Sequence, residues 1–225
     1  MNAVSGQRQL RIEVWSDVVC PWCYIGKRRL DKALGRFEHD GDVEVVWRSF
    51  QLDPTHRSGL REPVYDAMAR KTGVSRAQVR SMSRQVVELA AEEGLAFDFD
   101  RAISVSTFDA HRLNQLARVH GLGAEMHERL MRAYLMEGEL VDDVETLVRL
   151  GTETGVPADE VRRVLAGDAY AADVQEDSRE AQALGATGVP FFVLNRAYGL
   201  SGAQPVDAFL SALRTAGAAP SSAAR

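Results

Sequence analysis

Cys20 and Cys23 are the only cysteines in the 225-residue chain, and just Pro21 and Trp22 stand between them. A Cys-x-x-Cys pair where a strand turns into a helix points to dithiol redox chemistry before it points to structure. Disulfide exchange needs one exposed thiolate to attack and a second thiol nearby to resolve the mixed disulfide. Cys20 is placed for attack, because it precedes a helix whose unpaired N–H groups and dipole favour a negative sulfur. Pro21 suits the first helical turn, where its missing N–H would have gone unpaired. Cys23 falls one turn later on the same face, within reach of Cys20 but deeper.

Other uses of the pair are weaker. A bridge enclosing two residues removes little chain entropy, so a purely stabilising disulfide is not expected. Structural zinc takes four ligands, yet there are no further cysteines, and His39, His56, His111, His120 and His127 show no paired ligand spacing. No metal and no dedicated cofactor are therefore expected. Two inert buried cysteines would not need a strand-to-helix junction.

The elements that position the pair can be read in order. Leu10, Ile12 and Val14 alternate with Arg11 and Glu13, the period-two pattern of a strand with one buried face. After the cysteines, Leu30, Ala33, Leu34 and Phe37 recur at helical spacing, and 43–50 is a β-branched and aromatic run that predicts a second strand. Strand, helix and strand make a βαβ unit with a right-handed crossover. From Gln51 to about Ala186 the pattern is helical. Ser75 and Gln78 form a capping box before an apolar stripe of Val79, Met82, Val86 and Leu89. Further stripes hold Ala110, Leu113, Leu116 and Ala117, then Met126, Leu130, Met131, Tyr134 and Leu135. Asp142 is the predicted N-cap of the next helix, and Pro157 opens the one after. At the end, 191–194 and 198–201 predict a hairpin around Asn195, followed by a helix with Val206, Phe209, Leu210 and Leu213 inward and a disordered tail from Ala216. Neither outer piece has enough strands to be stable alone, so the two should pair into one sheet.

Composition removes several function classes. Twenty-seven basic against 32 acidic residues give a net charge of −5 without a basic block, which disfavours nucleic-acid binding. No apolar run approaches the ~20 residues of a membrane span. Met1 to Gln9 is polar and lacks a signal-peptide core, so a cytoplasmic location is expected, where disulfides are mostly catalytic or transient.

Two more residues bear on the chemistry. Val189-Pro190 opens a strand. A cis bond there would turn Val189 backbone groups outward to pair with an extended peptide, whereas X-Pro statistics alone favour an ordinary trans bond. His111 lies away from the apolar face of its helix; it either faces solvent or, if the helices pack over the cysteines, turns toward Cys20. Trp22 and Tyr24 are expected at the rim of a hydrophobic peptide groove, and Trp15 and Trp47 in the core.

Cys20-Pro21-Trp22-Cys23 after a strand, a helical insertion, and Thr187-Gly188-Val189-Pro190-Phe191-Phe192 together resemble the DsbA family. Ser16 to Gly26, Phe108-Asp109-Ala110-His111-Arg112 and Tyr198 to Gln204 are similar more narrowly to its cytoplasmic FrnE-like branch. The resemblance implies an α/β chain with a thioredoxin-like fold interrupted by an all-helical insertion domain. The thioredoxin-like domain would comprise 1–55 and 186–225, and the insertion 56–185. It further implies Cys20 as nucleophile, Cys23 as resolving thiol, Pro190 as a cis-proline facing them, and Val189 offering its backbone to the substrate; Pro21, Trp22 and His111 complete the expected substrate-binding set.

Two departures stand out. Thioredoxin-like proteins often bury an acid six positions before the first cysteine; here that position is Val14, flanked by Glu13 and, further on, Asp17. Glutathione-using relatives, the kappa-class transferases and hydroxychromene carboxylate isomerases, typically lack the second cysteine and carry a Gly-Ser-Asp-Arg-like element near the C-terminus. This chain keeps both cysteines and has Ser201-Gly202-Ala203-Gln204 there. The expected activity is thiol–disulfide oxidoreductase or isomerase chemistry on protein or peptide thiols, with glutathione as a conceivable co-substrate. A glutathione-dependent isomerase or transferase is the alternative, and a non-catalytic peptide-binding module the third. No nucleic acid or membrane partner is expected, and nothing in the sequence assigns an oligomeric state.

Overall fold

The computed structural model describes residues 10–38 and 43–218. Met1 to Gln9, His39, most of the break before the second strand, and 219–225 of the expected tail lie outside the described residues. In chain order the elements are β1 (Leu10–Ser16), α1 (Pro21–Leu34), β2 (Val43–Ser49), β3 (Glu62–Pro63), α2 (Val64–Thr72), α3 (Arg76–Glu92), β4 (Ile103–Ser104), α4 (Phe108–Val119), α5 (Gly123–Leu135), α6 (Val144–Thr154), α7 (Ala158–Ala166), α8 (Ala171–Ala183), β5 (Phe191–Leu194), β6 (Tyr198–Ser201) and α9 (Val206–Ala218).

The two ends of the chain meet in one mixed sheet of order β2-β1-β5-β6. β1 runs parallel to β2 with Val14 opposite Trp47, and antiparallel to β5 with Val14 opposite Phe192. The β5–β6 hairpin turns through Asn195, Arg196 and Ala197; Asn195 and Arg196 both have positive φ, and the Ala197 N–H closes the turn onto the Leu194 carbonyl. Among L-residues that conformation is most accessible to Asn; Arg196 is held in it by guanidinium contacts to Glu13 and Glu180.

A central strand has two faces to cover. Leu10, Ile12 and Val14 pack with Leu30 of α1 and Phe209 and Leu213 of α9. Trp15 turns the other way, against Phe191, Val193 and Ala181 of α8, and its indole N–H donates to the Asp177 carbonyl at 2.7 Å. β1 is therefore buried on both faces, not one as its alternation suggests. Glu13 goes inside with it, neutralised by Arg48 at 2.5 Å and by Arg196. A buried carboxylate is tolerable only with such partners. Helix α8, counted with the insertion by its sequence position, thus covers the sheet.

Other expectations are corrected locally. Met82 is exposed, and the inward stripe of α3 runs through Val79, Ser83 and Ala90, with the Ser83 hydroxyl satisfied by the Val79 carbonyl. The capping box at Ser75 is present. Asp143, not Asp142, caps α6 by accepting from the Thr146 N–H; Asp142 instead holds the Gly59 N–H and Arg61. The helical region also contains the short antiparallel pair β3–β4. At the C-terminal end, α9 continues to Ala218 with Ala216 buried, so the tail expected from Ala216 is packed helix at its start. Trp15 and Trp47 are core residues, as their surroundings in the sequence suggest.

Tyr24 is fully buried and does not line a rim. Its hydroxyl donates to Glu128 of α5, which also accepts from Arg28 at 3.1 Å and pairs with Lys27 at 3.1 Å. Burial alone would raise the Glu128 carboxyl, but the Tyr24 hydroxyl, Lys27 and Arg28 outweigh it and leave it below its ordinary value. Tyr24→Phe should cost about 1–3 kcal/mol by removing a hydrogen bond to a charged group. A depressed carboxyl stabilises fully above its unfolded pKa of about 4.3 and loses that contribution as pH falls through the lower folded value. The Tyr24→Phe deficit in urea unfolding should therefore be full at pH 7 and shrink below about pH 4.

Candidate active site

Beyond Ser16 the chain leaves the sheet through 17–19, and the Cys20 N–H donates to the Asp17 carbonyl at 3.0 Å, closing the turn. Cys20 has extended backbone (φ −86°, ψ 114°) and occupies the N-cap of α1, with Pro21 first in the helix. Its carbonyl accepts from the Cys23 and Tyr24 N–H groups at 3.1 and 3.4 Å, which winds Cys23 beneath it. Both cysteines are free thiols. Cys23 is 0% exposed and Cys20 only 3%, more covered than an open nucleophile, because both pack into the apolar cluster of the helical layer. Trp22, at 39% exposure, is the aromatic side chain that projects beside them.

The second half of the chain supplies the facing wall. The Cys20 Sγ lies 3.8 Å from the Val189 carbonyl oxygen, and the Val189–Pro190 peptide is cis. Pro190 is held by its carbonyl, which accepts from the Gly202 N–H at 2.8 Å. On the α1 side, a Cβ at Gly26 would sit 3.0 Å from Pro190 Cγ and 3.2 Å from Phe192 Cζ. Gly26 is therefore the residue that lets helix and proline segment close. The sequence offered only its place in the motif, with no sign of what it touches.

His111 does not face solvent. At 1% exposure its Nε2 lies 3.2 Å from Asp17 Oδ1, while Asp17 Oδ2 accepts from the Leu52 N–H at 2.8 Å. Helix α4 is anchored through Arg112, which donates to the carbonyls of Ala169 and Gly167 at 2.8 and 2.6 Å and is held by Asp109 of the same helix at 2.7 Å. Of the two acids near Val14, Glu13 is committed to Arg48 and Arg196, and Asp17 is the one beside the cysteines.

Cys23 lies in surroundings that oppose its thiolate. Burial pushes its thiol well up, and the hydrogen bond and charge of Cys20 push the same way. The Ser16 hydroxyl and the Asp17 backbone act in the opposite direction. Behind Ser16 stands His127 of α5, 2.8 Å from the hydroxyl. Neither Ser16 nor His127 is singled out by sequence; the one polar signal was a serine closing a buried strand. Among the described residues, no three His, Cys, Asp or Glu side chains group to hold a metal ion.

The chain matches the DSBA-like thioredoxin domain over residues 11–214. It belongs to the DsbA-like thioredoxin family. Within that fold it is 44% identical to a probable DsbA oxidoreductase from Streptomyces coelicolor, with a TM-score of 0.91 over 96% of this chain and 93% of the other. The cytosolic disulfide reductase DsbM of Pseudomonas aeruginosa, in a structure with glutathione, gives 23% identity and a TM-score of 0.63, covering 91% of this chain and 98% of that one. A 2-hydroxychromene-2-carboxylate isomerase gives 15% and 0.67, covering 91% and 95%. At such identities the last two show the shared fold alone. Among the described residues, no helix is long and apolar enough to cross a membrane.

Gly26→Ala overpacks the contact between α1 and the proline segment. It should cost about 1–3 kcal/mol in urea unfolding. It should also speed alkylation of Cys20, as Val189 and Pro190 are pushed away from the sulfur.

Proposed function

We propose that this DsbA-like protein is a thiol–disulfide oxidoreductase or isomerase that exchanges disulfides with protein or peptide thiols through Cys20 and Cys23. The observation that carries this is the Cys20 sulfur at a helix N-terminus, 3.8 Å from the Val189 carbonyl, with Cys23 buried one turn behind it. In the reducing direction the Cys20 thiolate attacks one sulfur of the substrate disulfide and expels the other as thiolate. Cys23 then attacks Cys20, the second substrate sulfur leaves with its electron pair, and the protein is left as a disulfide. The oxidising direction is the reverse.

Val189 offers backbone groups to an extended peptide by strand addition. Pro190 holds that segment against the dithiol, and Pro21 and Trp22 form the solvent side of the contact. His111 acts through Asp17, fixing the turn that carries both sulfurs. Glutathione serves as a small thiol able to restore the reduced pair, two molecules leaving as their disulfide. The setting proposed is reducing and cytoplasmic, like that of the fold-sharing cytosolic reductase DsbM.

Cys23→Ser should accumulate mixed disulfides through Cys20, seen on non-reducing gels and by mass spectrometry, while Cys20→Ser should form none and lose disulfide reduction. A Cys23→Ser protein that traps nothing, beside a wild type that neither reduces nor isomerises a disulfide, would contradict the assignment. Glutathione-dependent turnover that survives Cys23→Ser would move it to the isomerase or transferase class.

A further inference from the structure

Proline has no N–H, so the backbone of Pro190 can be hydrogen-bonded only through its carbonyl. Its partner is the Gly202 N–H at 2.8 Å, which makes the loop between β6 and α9 the support of the segment where a peptide would dock. The loop is closed on itself. Gln204 donates its N–H to the Gly202 carbonyl at 2.9 Å and its side-chain amide to the Ser201 carbonyl at 2.7 Å. Holding Ala203 therefore holds Gly202.

Ala203 is held by a side chain that the exchange steps do not use. Arg29 Nη1 of α1 donates to the Ala203 carbonyl at 2.7 Å, and Arg29 Nε donates to Glu93 Oε1 at 2.7 Å. Arg29 lies three residues after Gly26, so the two share a face of α1. A Cβ at Gly26 would stand 3.6 Å from the Ala203 Cα, which brings helix and loop into contact there. Glu93 closes α3, where its N–H donates to the Ala90 carbonyl at 3.0 Å, and its other oxygen accepts from Lys32 at 2.6 Å. With side-chain exposures of 16% for Arg29 and 8% for Glu93, the pair is largely out of solvent. Burial acts to raise the Glu93 carboxyl, yet the two cations bring it below its ordinary value. A guanidinium is a rigid planar fork, so fixing one donor on Glu93 aims the other.

We propose that Arg29 is a positioning residue for peptide substrates: oriented by Glu93, it clamps the loop 202–204 and so fixes the register of Val189 and Pro190 beside Cys20. The proposal deepens the peptide-exchange reading above and rests on it. The contacts run from Glu93 to Arg29, from Arg29 to Ala203 and from Gly202 to Pro190, and end at the Val189 carbonyl 3.8 Å from the Cys20 sulfur. The helical region thus reaches the docking segment through one guanidinium. Without it, a peptide would have to order the loop as it binds, and would bind more weakly. The reacting sulfurs are untouched, so the loss falls on binding and not on the chemical step. A small disulfide that makes no strand contact with Val189 is indifferent to the clamp.

Arg29→Met keeps the apolar stem, removes every donor and leaves Glu93 with Lys32. Arg29→Gln is the polar second variant in case methionine disturbs folding. In single-turnover reduction of a disulfide-bonded peptide, the half-saturating concentration should rise about tenfold in both, with the limiting rate unchanged. Reaction of Cys20 with the small disulfide 5,5′-dithiobis(2-nitrobenzoate) should not slow. By NMR, the Gly202 amide should exchange about tenfold faster than in wild type, while the amides of β1 keep their protection. A merely structural ion pair would instead lower protection throughout and leave the half-saturating concentration alone. A Gly202 amide that exchanges as in wild type, or a half-saturating concentration that does not move, would overturn the positioning role. A wild type that reacts with the small disulfide but with no disulfide-bonded peptide would overturn the peptide-exchange reading beneath it.

Discussion

A thiol with no exposed surface is held away from its thiolate, and in the proposed exchange Cys23 has to give up its proton from such a place. Burial shields the Cys23 sulfur from outside reagents one turn from Cys20, but it disfavours the thiolate that the proposed exchange calls for. The compensation is local and polar. It consists of the Asp17 backbone and the Ser16 hydroxyl.

Those groups exist because the sheet does not end in solvent. The C-terminal ends of β1 and β2 run into α4, α5 and α8, and the residues there form a buried polar seam. His111 meets Asp17, His127 meets Ser16, and Gln115 bridges Ser49 and Asp177 at 3.1 and 2.7 Å. Asp177 also accepts from the Ser49 N–H and pairs with Arg48. Buried polar networks stabilise only when nearly every member is satisfied, and then they fix one geometry. Here the geometry fixed is that of the helical layer over the dithiol. From the other side, Gly26 admits Pro190, and the Gly202 N–H holds its carbonyl.

Much of this was legible in the chain itself. The cysteine spacing after an alternating strand, the capping box at Ser75, and the Asn195 turn all depend on neighbours within a few residues, so periodicity and turn chemistry report them. Pairing of β1 with β5 followed from the inability of either end to stand alone. What could not be read was the identity of distant partners. Tyr24 resembled a groove residue until Glu128, on another helix, was seen to take its hydroxyl. Met82 and Ser83 exchange the inward position expected from hydrophobicity because Ser83 finds the Val79 carbonyl. Asp142 and Asp143 are equivalent caps on paper, and the loop at Gly59 and Arg61 decides between them. His127 sits in an apolar stripe with Met126, Leu130 and Met131, and its contacts to Ser16 and the Trp47 ring lie on distant strands.

The central claim is that Cys20 and Cys23 act as one two-electron couple. Equilibrating the protein in glutathione buffers of graded potential, then alkylating and counting free thiols by mass spectrometry, tests this directly. The account predicts that both thiols disappear together in a single transition, with the Cys20–Cys23 disulfide as the oxidised product. Stable addition of glutathione to Cys20, with Cys23 remaining a free thiol across the whole range, would contradict it.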